Sequence, residues 1–166
     1  MITETQDSVA GILSVHTPLG DITLFDNAHD TLVALDWGWS PQQNPSALLL
    51  EAKKQIHAYF DGVLTNFNLP LAPQGTDFQK RVWHALSKIP YGETKSYGAI
   101  AAALDSGARA VGTACGKNPL PIIIPCHRVL PSSGALGAYS AGDGPETKHA
   151  LLAIEGALTP KPFYNI

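Results

Sequence analysis

Three short apolar runs with β-branched residues, bounded by polar positions, lie near the start of the chain, at residues 11–16, 21–25 and 31–36. Each run is rich in Ile, Leu and Val. Pro18-Leu19-Gly20 and Asn27-Ala28-His29-Asp30 separate them with turn-forming residues, which predicts a three-stranded antiparallel meander. From about Pro45 the period changes. Leu48, Leu49, Ala52, Ile56, Tyr59 and Phe60 recur at helical spacing and predict a helix covering one face of the sheet.

A second pattern begins after Leu69-Pro70-Leu71-Ala72-Pro73-Gln74-Gly75. The prolines of this stretch favour extended backbone and its glycine interrupts periodicity, so it is the predicted linker between residues 1–73 and 74–166. Thr76 and Gln79 have the spacing of a capping box at the start of a helix carrying Phe78, Val82, Leu86 and Ile89. Trp83 and His84 on this helix are expected to serve packing. Ser96 is a further N-cap, followed by Tyr97, Ile100, Ala101 and Leu104 on one helical face. After Asp105-Ser106-Gly107, another helix is predicted from Ala108 to about Gly116. Two short helices joined by a glycine-containing turn form a helix-turn-helix pattern, which many proteins that bind no DNA also share. Residues 131–144 are rich in glycine and small residues and predict a loop. Pro145 starts a last helix that turns Leu151, Leu152 and Ile154 inward, with Glu155 near its end.

Composition narrows the class. Apolar residues make up 45% and charged residues 15% of 166 positions, the signature of an ordered globular chain. There is no run of about 20 apolar residues and no basic N-terminal region, so a soluble, cytoplasmic protein is expected. Cys115 and Cys126 are the only two cysteines, too few for a soft-ligand metal site, so no metal is expected. A disulfide between them suits a secreted chain better than this one. The net charge of −3 conceals an asymmetry. Residues 1–73 hold two Lys/Arg against eight Asp/Glu, and residues 74–166 hold nine against six, so the C-terminal half is the one suited to phosphates.

The candidate chemistry lies in Asn118-Pro119-Leu120-Pro121-Ile122-Ile123-Ile124-Pro125-Cys126-His127-Arg128-Val129-Leu130. Branched apolar residues between prolines read as a short buried rod with a thiol at its end, followed by an imidazole and a guanidinium that favour ionisation. On this pair alone, a buried structural cysteine is an equal reading. The segment Ile124-Pro125-Cys126-His127-Arg128-Val129-Leu130 resembles the active-site signature of the O6-alkylguanine-DNA alkyltransferases, and the likeness extends from about Gly75 to Glu155.

That resemblance implies an α+β protein. Its N-terminal domain would be ribonuclease H-like, and its mostly helical C-terminal domain would carry a winged-helix-like helix-turn-helix. It implies single-use transfer of the alkyl group of O6-alkylguanine, and of O4-alkylthymine, to Cys126 after the nucleotide is flipped out from the minor groove, with no cofactor. Cys126 would be the nucleophile and His127 its base through a bridging water, with Glu155 orienting the imidazole. Tyr97 would assist nucleotide rotation and donate a proton, and Asn118 would brace the turn before the active-site segment. Arg109 would fill the gap in the base stack, with Ala108, Ala110, Gly112 and Thr113 also against DNA. The small residues of that helix suit close minor-groove approach without a direct sequence code. Val129, Tyr139 and Ser140 would recognise the guanine, and Arg128 would give structural or electrostatic support. The implied partner is double-stranded DNA containing alkylated guanine, bound by a monomer, with cooperativity on DNA left open. Ala141 stands where some relatives have glycine and would narrow the pocket. The rival readings are a non-catalytic lesion-binding protein, a cysteine hydrolase and a DNA-binding regulator.

Overall fold

The computed structural model describes residues 8–137, 139 and 142–157; Ser140, Ala141 and the tail from Pro160 lie outside them. The chain divides into two compact units, residues 1–74 and 75–166.

In the first unit, β1 (Val9–Val15), β2 (Ile22–Asn27) and β3 (Leu32–Trp37) form an antiparallel sheet in sequence order. Leu13 pairs with Leu24, and Leu24 with Leu35, so the buried positions stack across all three strands. Helix α1 (Ala47–Phe60) covers the sheet with Leu49, Ala52, Ile56 and Tyr59, the apolar stripe read from its spacing. Its N-cap Ser46 accepts from the Leu49 amide at 3.1 Å and donates to buried Asp26 of β2, joining helix start to sheet. Gly11 permits that carboxylate's position, because a Cβ there would lie 2.5 Å from Asp26 Oδ1. The expected linker is not a free tether. Its Leu71 bridges Leu32 in parallel, with Leu32 N–H donating to the Pro70 carbonyl (2.9 Å) and Ala72 N–H to the Leu32 carbonyl (2.8 Å).

The second unit is mostly helical. Helix α2 (Asp77–Ser87) starts at the Thr76/Gln79 capping box, both of whose hydrogen bonds are formed. Trp83 is buried in this unit's core, and its Nε1–H donates to the Ala114 carbonyl at 2.9 Å. Helices α3 (Tyr97–Ala103, capped by Ser96) and α4 (Ala108–Gly116) form the helix-turn-helix. Arg81 reaches the Leu104 carbonyl at 3.2 Å, so α2 holds both of these helices. Two-residue strands β4 (Lys95–Ser96) and β5 (Val129–Leu130) pair in parallel. Helix α5 (Pro145–Ile154) completes the core with Leu151 and Leu152.

The stretch before Cys126 departs from the expected rod. Leu120 to Ile124 are buried, but they form a turn closed by Ile124 N–H donating to the Leu120 carbonyl (2.8 Å). Ile122 sits at φ 75°, a left-handed conformation costly for a β-branched residue and tolerated here by complete burial. Cys126–Arg128 then make one turn of 3-10 helix.

Candidate active site

The turn from α4 to Cys126 is held by one side chain. Asn118 Nδ2 donates to the Ile124 carbonyl (2.8 Å), and its Oδ1 accepts from Leu120 N–H (2.9 Å), which locks the loop that carries the cysteine. Cys126 N–H donates back to the Ile124 carbonyl (2.8 Å). The cysteine is 6% exposed. It borders a cavity of about 440 Å³ that Tyr97, Arg109, Gly112, Thr113, Asn118 and Tyr139 also line, together with Cys115 and residues of neighbouring turns. That volume falls in the roughly 300–1,000 Å³ range of small-molecule sites and is ample for one nucleobase.

Behind the cysteine, three ionisable side chains close on one another. His127 Nε2–H donates to Glu155 Oε2 at 2.7 Å. Arg128 grips the same carboxylate in bidentate fashion, Nε to Oε1 at 2.8 Å and Nη2 to Oε2 at 3.0 Å. Its Nη1 donates to the Ile89 carbonyl at 2.6 Å, and its guanidinium carbon lies 5.8 Å from the centroid of the Tyr91 ring. His127 and the side chain of Glu155 have no exposed surface.

Burial lowers the His127 pKa below its ordinary value, and the Arg128 and Lys148 charges push it the same way against the hydrogen bond and charge of Glu155. The imidazole is therefore neutral, with its proton on Nε2 toward the carboxylate. Its Nδ1 is buried and without a hydrogen-bond partner among the described residues, so it is an available acceptor. Burial pushes the Cys126 thiol above its ordinary value; hydrogen bonding from Asn118, the Lys148 charge and the Tyr139 hydroxyl pull it back. Tyr139 Oη is buried and forms no hydrogen bond of standard geometry with the neutral thiol. It lies close enough for a thiolate to feel it, and burial together with that neighbour raises its own pKa. Burial lifts the Tyr97 phenol to about 12 and the Cys115 thiol to about 12, so both are protonated near neutral pH.

The residues singled out in the sequence thus fall into three sets. Cys126, Asn118, Tyr97, Arg109, Gly112, Thr113 and Tyr139 line the cavity. His127 and Glu155 lie behind it with Arg128. Ala108 and Ala110 border shallower depressions on either side of α4 that share Arg109 with the main cavity. Val129 is fully buried in the β4–β5 pairing with Lys95 and does not line the cavity. Ser140 lies outside the described residues. One buried group was missed. Lys148 has no exposed surface, and a signal for it exists in the sequence: it precedes Leu151, Leu152 and Glu155 by three, four and seven positions, on the inward stripe of α5.

Fold and site together describe a helix-turn-helix domain built around a buried cysteine, following a small sheet-and-helix unit. Sequence profiles agree in both parts: the DNA-binding domain of 6-O-methylguanine DNA methyltransferase matches residues 77–157, and the ribonuclease-like domain of the same family matches residues 13–73. A methylated-DNA–protein-cysteine methyltransferase of Mycolicibacterium paratuberculosis is 43% identical over 158 residues, 94% of this chain and 93% of that protein. The constitutive enzyme of that name from Bacillus subtilis is 43% identical over 155 residues, covering 86% and 93%. The crystal structure of Mycobacterium tuberculosis OGT in complex with DNA superimposes with a TM-score of 0.79 at 43% identity, covering 89% of this chain and 94% of that one. The chain belongs to the 6-O-methylguanine DNA methyltransferase family.

Proposed function

We propose that this protein repairs alkylated DNA directly, by moving the alkyl group of O6-alkylguanine, and of O4-alkylthymine, onto Cys126. The observation that carries the reading is a sulfur at the border of a nucleobase-sized cavity that opens beside the first turns of α4, with a neutral histidine on a buried carboxylate behind it. A base stacked in a duplex cannot reach a thiol that is 6% exposed, so the reaction requires the nucleotide to rotate out of the helix. Arg109, exposed in the first turn of α4 and on the cavity rim, suits the gap left in the stack. The small residues around Gly112 allow close approach to a minor groove.

In the chemical step the Cys126 proton passes through a water to His127 Nδ1, and Glu155 steadies the resulting imidazolium. The sulfur attacks the alkyl carbon; the S–C bond forms as the C–O6 bond breaks, and the electron pair of that bond moves into the guanine. Tyr97, whose phenol keeps its proton, donates toward the ring as that charge develops. The product is a thioether, and among the described residues no side chain beside it is equipped to cleave the bond, so each molecule acts once.

Incubation with an oligonucleotide duplex containing O6-methylguanine should add one methyl group per protein molecule. Intact mass and peptide mapping should place it on Cys126 and leave Cys115 unmodified. Repeated turnover, methylation of Cys126→Ser, or binding of the lesion without transfer would overturn this function; the last outcome is the signature of a non-catalytic lesion binder. Arg109→Ala should slow repair of duplex DNA more than reaction with the free modified base.

A further inference from the structure

Cys115 borders the same cavity as Cys126, and transfer of a simple alkyl group gives it no task. Helix α4 turns Arg109, Gly112, Thr113, Cys115 and Gly116 toward that space, while Val111 and Ala114 pack into the core. The turn that follows ties both cysteines to one residue. Asn118 N–H donates to the Cys115 carbonyl (3.2 Å), and Asn118 Nδ2 donates to the Ile124 carbonyl, which also accepts Cys126 N–H.

Both cysteines are thiols, 8% and 6% exposed. A disulfide between them demands Cα atoms within about 7 Å and one narrow range of dihedral angle. A link with two carbons between the sulfurs adds length and torsional freedom, so it tolerates a wider spacing. The shared cavity therefore suits a group with two adjacent electrophilic carbons.

We propose that Cys115 is a second acceptor for 2-haloethyl lesions: it captures the group that Cys126 has removed from guanine O6, and an ethylene bridge between the two sulfurs closes the cavity. The inference rests on Cys126 being the alkyl acceptor. A methyl adduct carries no leaving group and stops at Cys126. With a 2-haloethyl adduct, the Cys126 sulfur displaces the halide from the terminal carbon and closes a three-membered episulfonium ring; the halide departs with the electron pair of its bond. Cys115 gives its proton to water, and its sulfur attacks a ring carbon. The new S–C bond forms as a ring C–S bond breaks and returns its pair to the Cys126 sulfur. One halide and one proton leave, and nothing is oxidised or reduced.

Capture by Cys115 has to compete with capture by water. Burial, and after it the charge of Cys126, lifts the Cys115 thiol to about 12, so roughly 10⁻⁵ of it is thiolate at pH 7. Groups held in one site reach effective concentrations of about 10⁵–10⁸ M, so this small fraction acts as roughly 1–10³ M thiolate. A thiolate of high pKa is also the stronger nucleophile per anion. Sulfur therefore keeps pace with water at neutral pH and gains on it as pH rises.

1,2-Dibromoethane delivers the same two carbons to Cys126 without DNA. Peptide mapping of the treated protein should find the Cys115 and Cys126 peptides joined by an ethylene unit that resists reducing agents. The ratio of bridged product to hydroxyethyl-Cys126 should rise about tenfold from pH 7 to pH 8. In urea the bridged fraction should fall at least about threefold, because unfolding disperses the two thiols. Hydroxyethyl-Cys126 beside unmodified Cys115 in the folded protein, a ratio that stays flat with pH, or equal bridging in urea overturns the proposal. A duplex freshly treated with a 2-chloroethylating agent should give the same bridge, and methyl transfer from O6-methylguanine duplex is scored beside it. Bridging by dibromoethane in a protein that never accepts the methyl group would sink the repair function and leave the dithiol site standing. Normal methyl transfer, with haloethyl groups ending as hydroxyethyl-Cys126, does the reverse.

Discussion

Replacing Glu155 by Gln removes one charge and almost no volume from the centre of the second unit. Three hydrogen bonds of 2.7, 2.8 and 3.0 Å converge on this carboxylate, whose side chain has no exposed surface. After Glu155→Gln, the amide oxygen still accepts one Arg128 N–H, but among the described residues the guanidinium is left with no counter-charge beyond the dipole of the Ile89 carbonyl and the face of Tyr91. Uncoupling a buried pair in this way costs about 3–5 kcal/mol. For a unit of roughly this size, each kcal/mol lowers the melting temperature by about 4–8 °C, so a fall of at least ~12 °C is expected. Differential scanning calorimetry and urea unfolding measure it. The cause is then isolated by a double-mutant cycle. Arg128→Met in the Glu155→Gln background removes the stranded charge and should recover a large part of the loss, with a coupling energy of about 2 kcal/mol or more. A loss under ~1 kcal/mol, or additive effects in the double variant, would show that solvent screens the triplet and that the argument from its burial is wrong.

Two further outcomes test the site. His127 titrates below its ordinary value of 6.5 in the folded protein, so the unfolded chain binds the extra proton first as pH falls; stability is full above about 6.5 and declines toward the lower folded value. Unfolding free energies measured by urea between pH 7.5 and 5.5 should therefore fall more steeply for the parent than for His127→Gln, by up to about 1.4 kcal/mol per pH unit, and parallel slopes would contradict the buried neutral imidazole. Tyr97→Phe removes a phenol held protonated up to about 12. Single-turnover methyl transfer should slow by roughly 10²-fold, while affinity for undamaged duplex changes less than about threefold; an unchanged rate would remove Tyr97 from proton donation.

The elements that could be read from the chain were those whose signals are local. Ser46, Thr76 and Ser96 cap helices where a short polar residue precedes an apolar stripe, and the three strands form where short apolar runs lie between turn residues. Signals failed where distant packing overrides local preference. Nothing in Ile122-Ile123-Ile124 announces that Ile122 takes a conformation favoured by glycine, because the turn is stabilised by Asn118 and by burial on all sides. The β4–β5 pair is two residues long on each side, too short for any alternation, and joins positions 95–96 to 129–130. At the site, Cys126, His127 and Glu155 could be picked out through a family resemblance. The bidentate grip of Arg128 on Glu155 spans 27 positions and leaves no mark on spacing. Lys148 was overlooked because a single charged residue within an apolar stripe looks like an ordinary irregularity until its burial is known.

The buried triplet of His127, Arg128 and Glu155 has a practical consequence for engineering. It is electrically closed and none of its members lines the cavity, so substitutions there damage the machinery without reshaping the space a substrate occupies. The rim offers separate control. Thr113 and Pro131 border the cavity and belong to no bonded cluster of ionisable groups, which makes them the natural positions at which to widen the range of adducts accepted. Gly137 also borders the cavity but is already the smallest residue, and its φ of 77° and the closeness of Pro131 penalise any side chain.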